Sequence, residues 1–321
     1  MVPFRSRTYT SFDGVQLHYR DYAPASAAGG AGRATVLCLP GLTRNARDFE
    51  DLAAHLSRRG HRVLCADLRG RGGSAFAPDP MTYVPAIYVR DIETLLDVNG
   101  LAEVAIVGTS LGGIMAMIIA AVMPFRLLGA VLNDVGPDLD PAGMARIGQF
   151  VGKSVPVATW DDAAAAIKRG EAAFYPGFGP DDWMRQAKRR FVLMPDGRLR
   201  ADYDLDIAKP FAVAFAPVSL WPFFAAFRDI PVLAVRGGLS DLLSAEGLAR
   251  MQQVKPDLEH VTVPNRGHVP LLDEPEIAPV LDRFLEGLPP RLAALTRLKR
   301  RWRAALFLWA ARRAVKNARR Q

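Results

Sequence analysis

The segment Gly-Thr-Ser-Leu-Gly at residues 108–112 joins an apolar strand pattern to an apolar helix pattern. The strand pattern covers residues 104–107, and the apolar run at 114–122 follows the segment. A strand that turns directly into a helix leaves little room for side chains, so glycines two residues before and after Ser110 allow a tight, strained turn. Such a turn exposes the serine hydroxyl, whereas the plainer alternative is a junction with an ordinary N-capping serine. The segment therefore predicts an α/β architecture with Ser110 as a candidate nucleophile.

Alternation of short apolar strands with helical patterns extends this prediction to most of the chain. Strand patterns recur on both sides of the serine segment and again at residues 232–235 and 260–263. Short apolar strands separated by helices are typical of a parallel sheet covered on both faces. After residue 136 this alternation is replaced by helical patterns that are rich in aromatic residues and interrupted by prolines and glycines. We therefore predict a core formed by residues 1–136 and 217–290 and a helical cap, or lid, formed by residues 137–216.

The net positive charge of the chain comes from its C-terminal segment. The formal net charge is +8, but residues 291–321 hold 11 of the 41 lysines and arginines and none of the 33 acidic residues. Residues 1–290 therefore carry 30 basic and 33 acidic side chains. Because nucleic-acid recognition needs a basic surface on the domain that reads the phosphates, this distribution argues against a nucleic-acid-binding body.

The segment 291–321 follows Pro289 and Pro290, and its apolar residues recur every three or four positions among lysines and arginines. This pattern predicts a basic amphipathic helix. The helix could bind an anionic membrane surface or a partner protein as a function of its own, or it could pack on the body. Its apolar positions are Leu292, Leu295, Leu298, Trp302, Leu306 and Trp309.

Cys38 and Cys65 each lie within an apolar strand pattern, which favours reduced, buried thiols. The N-terminal residues lack the apolar core of a secretory signal, and no apolar run reaches the roughly 18 residues that a membrane span needs. We therefore expect a cytoplasmic protein, with the tail as the one segment that could associate with a membrane. The glycine-rich segment 67–74 lacks the spacing of a phosphate-binding loop, and no Cys/His cluster has zinc spacing, so we expect no metal.

A serine hydroxyl becomes nucleophilic when a base accepts its proton and a carboxylate orients that base. Of the five histidines, only His268 follows a strand at its carboxyl end, the edge at which open α/β sheets build their sites. Asp241 follows the strand at 232–235, and the order Ser110, Asp241, His268 fits a hydrolase with this serine turn. Asp134 also leaves a strand end near the middle of the sheet and is the alternative acid, with Asp241 preferred.

Attack on a carbonyl produces an oxyanion that needs hydrogen-bond donors. The amide of Leu111, at the helix N-terminus directly after the serine, is one candidate. The second is the amide of Leu42, because Gly41 allows the chain to turn sharply after the strand that ends at Leu39. The alternative for this second position is a simple strand-ending turn.

In these motifs the chain resembles the α/β-hydrolase family, and within it the capped branch of esterases and enol-lactonases. The resemblance covers about residues 8–288 and rests on the segments 39–42, 67–74, 108–113, 240–241 and 267–270. It implies an eight-stranded, mostly parallel sheet, a helical cap after the sixth strand, and no cofactor. The chain departs from many relatives by having Pro40 and Gly41 where they have His-Gly.

These features together predict a serine hydrolase that cleaves a small or medium hydrophobic carboxylic ester or lactone through an acyl-enzyme. Aromatic residues of the cap would form an apolar pocket, for which the candidates are Trp183, Phe174 and Phe178. Carbon–carbon bond hydrolysis and cofactor-free perhydrolysis use the same triad and remain open. Dehalogenase and epoxide hydrolase chemistry is disfavoured, because those relatives need a carboxylate where this chain has Ser110.

Overall fold

A computed structural model describes residues 2–25, 32–213 and 219–318. The main sheet consists of β1 (Arg5–Thr10), β2 (Gln16–Tyr22), β3 (Val36–Leu39), β4 (Val63–Ala66), β5 (Val104–Thr109), β6 (Leu127–Asn133), β9 (Val232–Gly237) and β10 (Glu259–Val263). A second, two-stranded sheet consists of β7 (Phe191–Leu193) and β8 (Leu199–Ala201). The α-helices are α1 (Glu50–Arg58), α2 (Pro85–Val98), α3 (Leu111–Val122), α4 (Pro141–Phe150), α5 (Trp160–Glu171), α6 (Pro180–Arg190), α7 (Lys209–Ala212), α8 (Trp221–Ala225), α9 (Ala245–Val254), α10 (Ala278–Glu286) and α11 (Ala294–Ala318).

The strand order of the main sheet is β1-β2-β4-β3-β5-β6-β9-β10. β2 pairs antiparallel with β1 and β4, and the other neighbouring strands are parallel. This confirms the predicted eight-stranded, mostly parallel sheet with helices. Thr109 at the end of β5 pairs with Asn133 at the end of β6, so the residues that follow them emerge side by side at the carboxyl edge.

Each central strand sends alternate side chains to two separate cores. In β3, Leu37 and Leu39 belong to a core that α2, α3 and α8 cover, whereas Val36 and Cys38 belong to a core that α1 and α10 cover. All four residues are fully buried. The nearly continuous apolar pattern of these strands therefore reflects burial on both faces of the sheet.

The segment for which we predicted a cap, residues 137–216, lies between β6 and β9. Its described residues form four α-helices, α4 to α7, and also the β7–β8 hairpin, which the sequence patterns did not predict. α5 and α6 pack on each other around a small core of their own that includes Ile167, Tyr175 and Trp183. The predicted boundary between residues 216 and 217 lies outside the described residues, and α8 beyond it packs on α3.

Cys38 and Cys65 are free thiols on the neighbouring strands β3 and β4, and both are fully buried. Burial raises the pKa of the Cys65 thiol, so it stays protonated at neutral pH. Among the residues that the structure describes, no group of three or more His, Cys, Asp or Glu side chains is placed to hold a metal ion.

A long helix, α11, occupies most of the segment for which we predicted a basic helix, and residues 319–321 of that segment lie outside the described residues. It packs against α3 and the 3₁₀ helix Pro124–Arg126. The ring centroids of Phe307 and Phe223 lie 5.5 Å apart. Within residues 2–25, 32–213 and 219–318, no helix has the length and apolar character needed to cross a membrane.

Gly108 makes a close backbone contact in the turn around Ser110, because a Cβ atom on it would overlap the carbonyl group of Gly112. We expect Gly108→Ala to lower the free energy of unfolding by about 1–3 kcal/mol or more, since the overlapping atoms are backbone. Gly148→Ala is the matched control in α4, where a Cβ meets open space, and it should be neutral or stabilising by up to about 1 kcal/mol. Urea unfolding measures the free energy of unfolding of both variants, and equal stability of the two would contradict the close contact.

Candidate active site

Ser110 lies at the turn between β5 and α3 with φ +52° and ψ −111°, a strained conformation for a residue with a Cβ. Its amide donates to the Asn133 carbonyl at 3.0 Å, and its carbonyl accepts from the amides of Gly113 and Ile114. These hydrogen bonds hold the residue between β6 and the first turn of α3. Its hydroxyl does not cap α3, and Ser110 lines a cavity at the carboxyl edge of the sheet.

The loop after β10 brings the imidazole of His268 to Ser110, with 2.9 Å between His268 Nε2 and Ser110 Oγ. The cap holds this loop through Tyr175, whose hydroxyl donates to the Val269 carbonyl at 2.8 Å and accepts from the Val269 amide at 2.9 Å. The position of His268 therefore depends on the cap as well as on the main sheet.

The carboxylate that contacts His268 belongs to Asp134, the residue directly after β6. Its Oδ2 lies 2.7 Å from His268 Nδ1 and accepts from the Ser240 hydroxyl at 2.6 Å, while its Oδ1 accepts from the Gly237 amide at 2.7 Å. Asp134 is completely buried, and these donors stabilise its negative charge there. A carboxylate at Nδ1 favours the tautomer with the proton on Nδ1, which leaves Nε2 free to accept the serine proton.

The prediction that Asp241 orients His268 is wrong, and Asp134, the alternative acid, occupies that place. Asp241 instead pairs with Arg146 of α4, with 2.5 Å from Nε to Oδ2 and 2.8 Å from Nη2 to Oδ1. Burial acts to raise the pKa of Asp241, but hydrogen bonding and the charge of Arg146 outweigh burial and lower that pKa. The physical reason is topological: β6 neighbours β5 directly, whereas β9, the strand before Asp241, lies one position further away.

Two residues that support the histidine were missing from the sequence predictions. Ser240 contacts Asp134. The sequence feature that could have identified Ser240 is its position next to Asp241 in the polar turn after β9. Tyr175 is one of several aromatic residues in the predicted cap. No local pattern marks its contact with the loop of His268, because that contact forms only when the cap folds over the loop.

The predicted oxyanion donors occupy suitable positions. Leu42 lines the cavity together with Ser110, and Leu111 is the first residue of α3. Among the described residues, neither amide has a hydrogen-bond partner, so both N–H groups are available to a ligand. A Cβ on Gly41 would lie 3.9 Å from the Cβ of Ser110, and the buried Arg71 side chain donates to the Leu42 carbonyl at 2.9 Å. The role of these two amides stays a prediction.

A cavity of about 600 Å³ lies over Ser110, between the main body and the cap. The predicted lining residues Trp183, Phe174 and Phe178 do not border it, so that prediction is wrong. Trp183 and Phe178 pack in the core of the cap, and the Phe174 ring packs against Gly267. The apolar and aromatic side chains that do line the cavity include Leu42, Ile147, Phe150, Val151, Val155, Val157, Ile167, Tyr175 and Phe191.

Charged side chains also line this cavity, namely Arg44, Arg146, Lys153, Arg169, Glu171 and Arg190. Arg44, Arg146 and Arg190 are paired with Asp48, Asp241 and Glu171, respectively. Lys153 and Arg169 are exposed and form no ion pair with any residue in the described part of the chain. Burial raises the pKa of Glu171 to about 7, against the lowering effect of Arg44 and Arg146. The cavity therefore carries a surplus of positive charge, which favours an anionic ligand.

Comparison with known proteins identifies the family of the chain. The family model described as alpha/beta hydrolase fold matches residues 34–275. A 3-hydroxybutyrate-oligomer hydrolase of Cupriavidus necator is 34% identical over 261 residues, which are 78% of this chain and 88% of the relative. A 2-(acetamidomethylene)succinate hydrolase of Mesorhizobium japonicum is 30% identical over 246 residues, or 75% and 84% of the two chains. The crystal structure of an alpha/beta hydrolase from Novosphingobium aromaticivorans aligns with a TM-score of 0.83 at 46% identity, covering 89% of this chain and 99% of that one.

The two candidate acids can be separated by substitution. We expect Asp134→Asn to slow covalent labelling of Ser110 by a fluorophosphonate by a factor of about 10³ or more, because an amide favours the wrong histidine tautomer. Asp241→Asn, which weakens the pair with Arg146, should slow labelling less than about tenfold. Labelling followed by mass spectrometry measures both rates, and a larger effect at Asp241 would reverse our assignment.

Proposed function

The chain belongs to the α/β-hydrolase family, and we propose that it is a serine hydrolase that cleaves carboxylic esters bearing a free carboxylate. The observation that carries the proposal is the continuous contact from Ser110 Oγ through His268 to the buried carboxylate of Asp134. The matched relatives are named as hydrolases, and the chain is a hydrolase enzyme.

In the proposed reaction, Ser110 Oγ attacks the ester carbonyl carbon while His268 Nε2 accepts the hydroxyl proton. Asp134 stabilises the resulting imidazolium, and the amides of Leu42 and Leu111 bind the oxyanion. Collapse of the tetrahedral intermediate breaks the ester C–O bond, and the imidazolium protonates the departing alcohol. A water molecule then attacks the acyl-serine, with His268 as its base, and releases the carboxylic acid.

The sequence predicts a hydrophobic ester as the substrate. The excess positive charge around the cavity supports a more specific class, a hydrophobic ester that is also an anion. Apolar side chains such as Ile147 and Ile167 suit short alkyl groups, while Lys153 and Arg169 suit a carboxylate. The name of the Cupriavidus relative specifies oligomers of a hydroxy acid, which combine ester bonds with one terminal carboxylate. We therefore propose a short oligoester of a small hydroxy acid, such as 3-hydroxybutyrate, as the substrate.

The other reactions considered from the sequence have less support. An unopened hydrophobic lactone has no carboxylate for Lys153 and Arg169 to bind. Carbon–carbon bond hydrolysis and perhydrolysis need the same triad, but the charges in the cavity do not favour either of them over ester cleavage. The oligoester proposal accounts for both the triad and the cations.

Removal of the nucleophile tests the reaction class. Wild-type protein should hydrolyse 3-hydroxybutyrate dimer and trimer to the monomer, and Ser110→Ala should lower kcat by a factor of about 10⁴ or more, because the general base then has no hydroxyl to activate. Product formation by liquid chromatography measures this loss. If Ser110→Ala retains the wild-type rate, Ser110 is not the nucleophile; if neither protein cleaves the oligomers, the substrate proposal is wrong.

The cations are tested by comparing a free acid with its neutral ester. We expect Lys153→Gln combined with Arg169→Gln to raise KM for the 3-hydroxybutyrate dimer about tenfold, since two charge contacts are lost, while KM for the dimer methyl ester stays within about twofold. Arg5→Gln with Arg58→Gln removes two exposed cations that do not line the cavity and serves as the matched control. Equal KM changes for the free acid and the methyl ester would argue against carboxylate recognition.

A further inference from the structure

The face of α11 that contacts the body is rich in arginine. Arg300 is buried and donates to the Leu127 carbonyl at 2.5 Å and the Asp229 carbonyl at 2.8 Å. Arg297 donates to the Glu103 carboxylate at 2.7 Å, and Arg303 pairs with Asp229. These charged contacts, together with the contact between Phe307 and Phe223, fix the first half of the helix on the body.

The opposite face of α11 is apolar and exposed. Its large side chains are 55 to 73% accessible and belong to Leu295, Leu298, Trp302, Leu306 and Trp309. Steps of three and four residues place them in one stripe, roughly opposite the buried positions Arg300 and Ala304. The sequence pattern identified this stripe, but the structure turns it away from the body. Contiguous exposed apolar residues of this size mark a surface that binds something.

Positive charge borders this stripe. Lys299, Arg301, Arg312, Arg313 and Lys316 form no ion pair with any residue in the described ranges. Residues 287–321 contain no aspartate or glutamate. Two copies of the helix placed stripe to stripe would bring these cations together, so the charge disfavours a second copy as the occupant. An anionic lipid surface accommodates exposed tryptophans among its headgroups and attracts the cations through its negative charge.

We propose that α11 is an interfacial helix that attaches the protein to an anionic lipid membrane, with the apolar stripe inserted among the headgroups. The contacts of α11 define the orientation of the attached protein. Glu103, Leu127 and Asp229 lie at or just before the amino ends of β5, β6 and β9, whereas Ser110 follows the carboxyl end of β5. These two edges are separated by the length of the strands, roughly 20 Å. The cavity therefore faces the aqueous side, and the helix holds the enzyme at the membrane without taking part in ester cleavage.

Co-sedimentation of the full chain with lipid vesicles tests the proposal. The chain should pellet with phosphatidylcholine vesicles that contain phosphatidylglycerol, and much less with phosphatidylcholine alone. Trp302→Glu with Leu306→Glu should lower the partition coefficient at least tenfold, since the inserted side chains become charged. Neutralising Arg312, Arg313 and Lys316 with glutamine should lower it about fivefold for each charge, or on the order of 100-fold.

Val98→Glu is the matched control, because it places a charge on an exposed apolar residue of α2, and it should bind vesicles like the wild type. Fluorophosphonate labelling of Ser110 should be unchanged in all variants, which shows that they are folded. Failure of the wild type to pellet, equal binding to both vesicle types, or equal weakening by Val98→Glu would each overturn the proposal. It would also be overturned if the stripe variants convert a dimer into a monomer and leave vesicle binding unaltered. None of these results depends on the identity of the ester substrate.

Discussion

The candidate active site depends on the close approach of three backbone segments around Ser110. α3 can begin directly against the end of β3 only because residue 112 is glycine, since a Cβ there would overlap the Leu39 carbonyl. This contact brings the N-terminus of α3, the serine hydroxyl and the turn containing Leu42 into one small space. His268, Asp134 and the cap are all positioned around this fixed point, so a loss of the contact would disturb the whole arrangement.

A second group of three side chains shows why distances alone do not make such a site. Ser6 Oγ lies 2.7 Å from His18 Nε2, and His18 Nδ1 lies 2.7 Å from Asp67 Oδ2, which nearly repeats the spacing at Ser110. Ser6, however, lies within the extended strand β1, and no helix N-terminus follows it to supply free amides. Asp67 accepts from the backbone amides of Ala46 and Gly73, just as Asp134 accepts from that of Gly237, so the carboxylates do not distinguish the two groups. The difference between the two groups is therefore in the backbone rather than in the side chains.

The cap links the cavity to the position of His268. Tyr175 borders the cavity and also holds the loop of His268 through its hydroxyl. Arg146 lines the same cavity, stacks on the Phe174 ring at 4.6 Å and pairs with Asp241. The carboxyl edge of the sheet thus carries the cavity and its charges, while the amino edge carries α11. The parallel strands β5, β6 and β9 separate these two surfaces, because all three point the same way between them.

The sequence by itself determined the features that local patterns encode: the buried strands, the helices, the serine turn at Ser110 and the histidine loop of His268. It favoured Asp241 over Asp134, because no local pattern shows which of two carboxylates at strand ends will contact the loop of His268. The lining of the cavity and the outward face of α11 were also decided by the tertiary structure. Periodicity shows which residues share a face of a helix, but only packing shows what covers that face. Contacts between segments far apart in the chain leave no local signal, and those contacts complete the site.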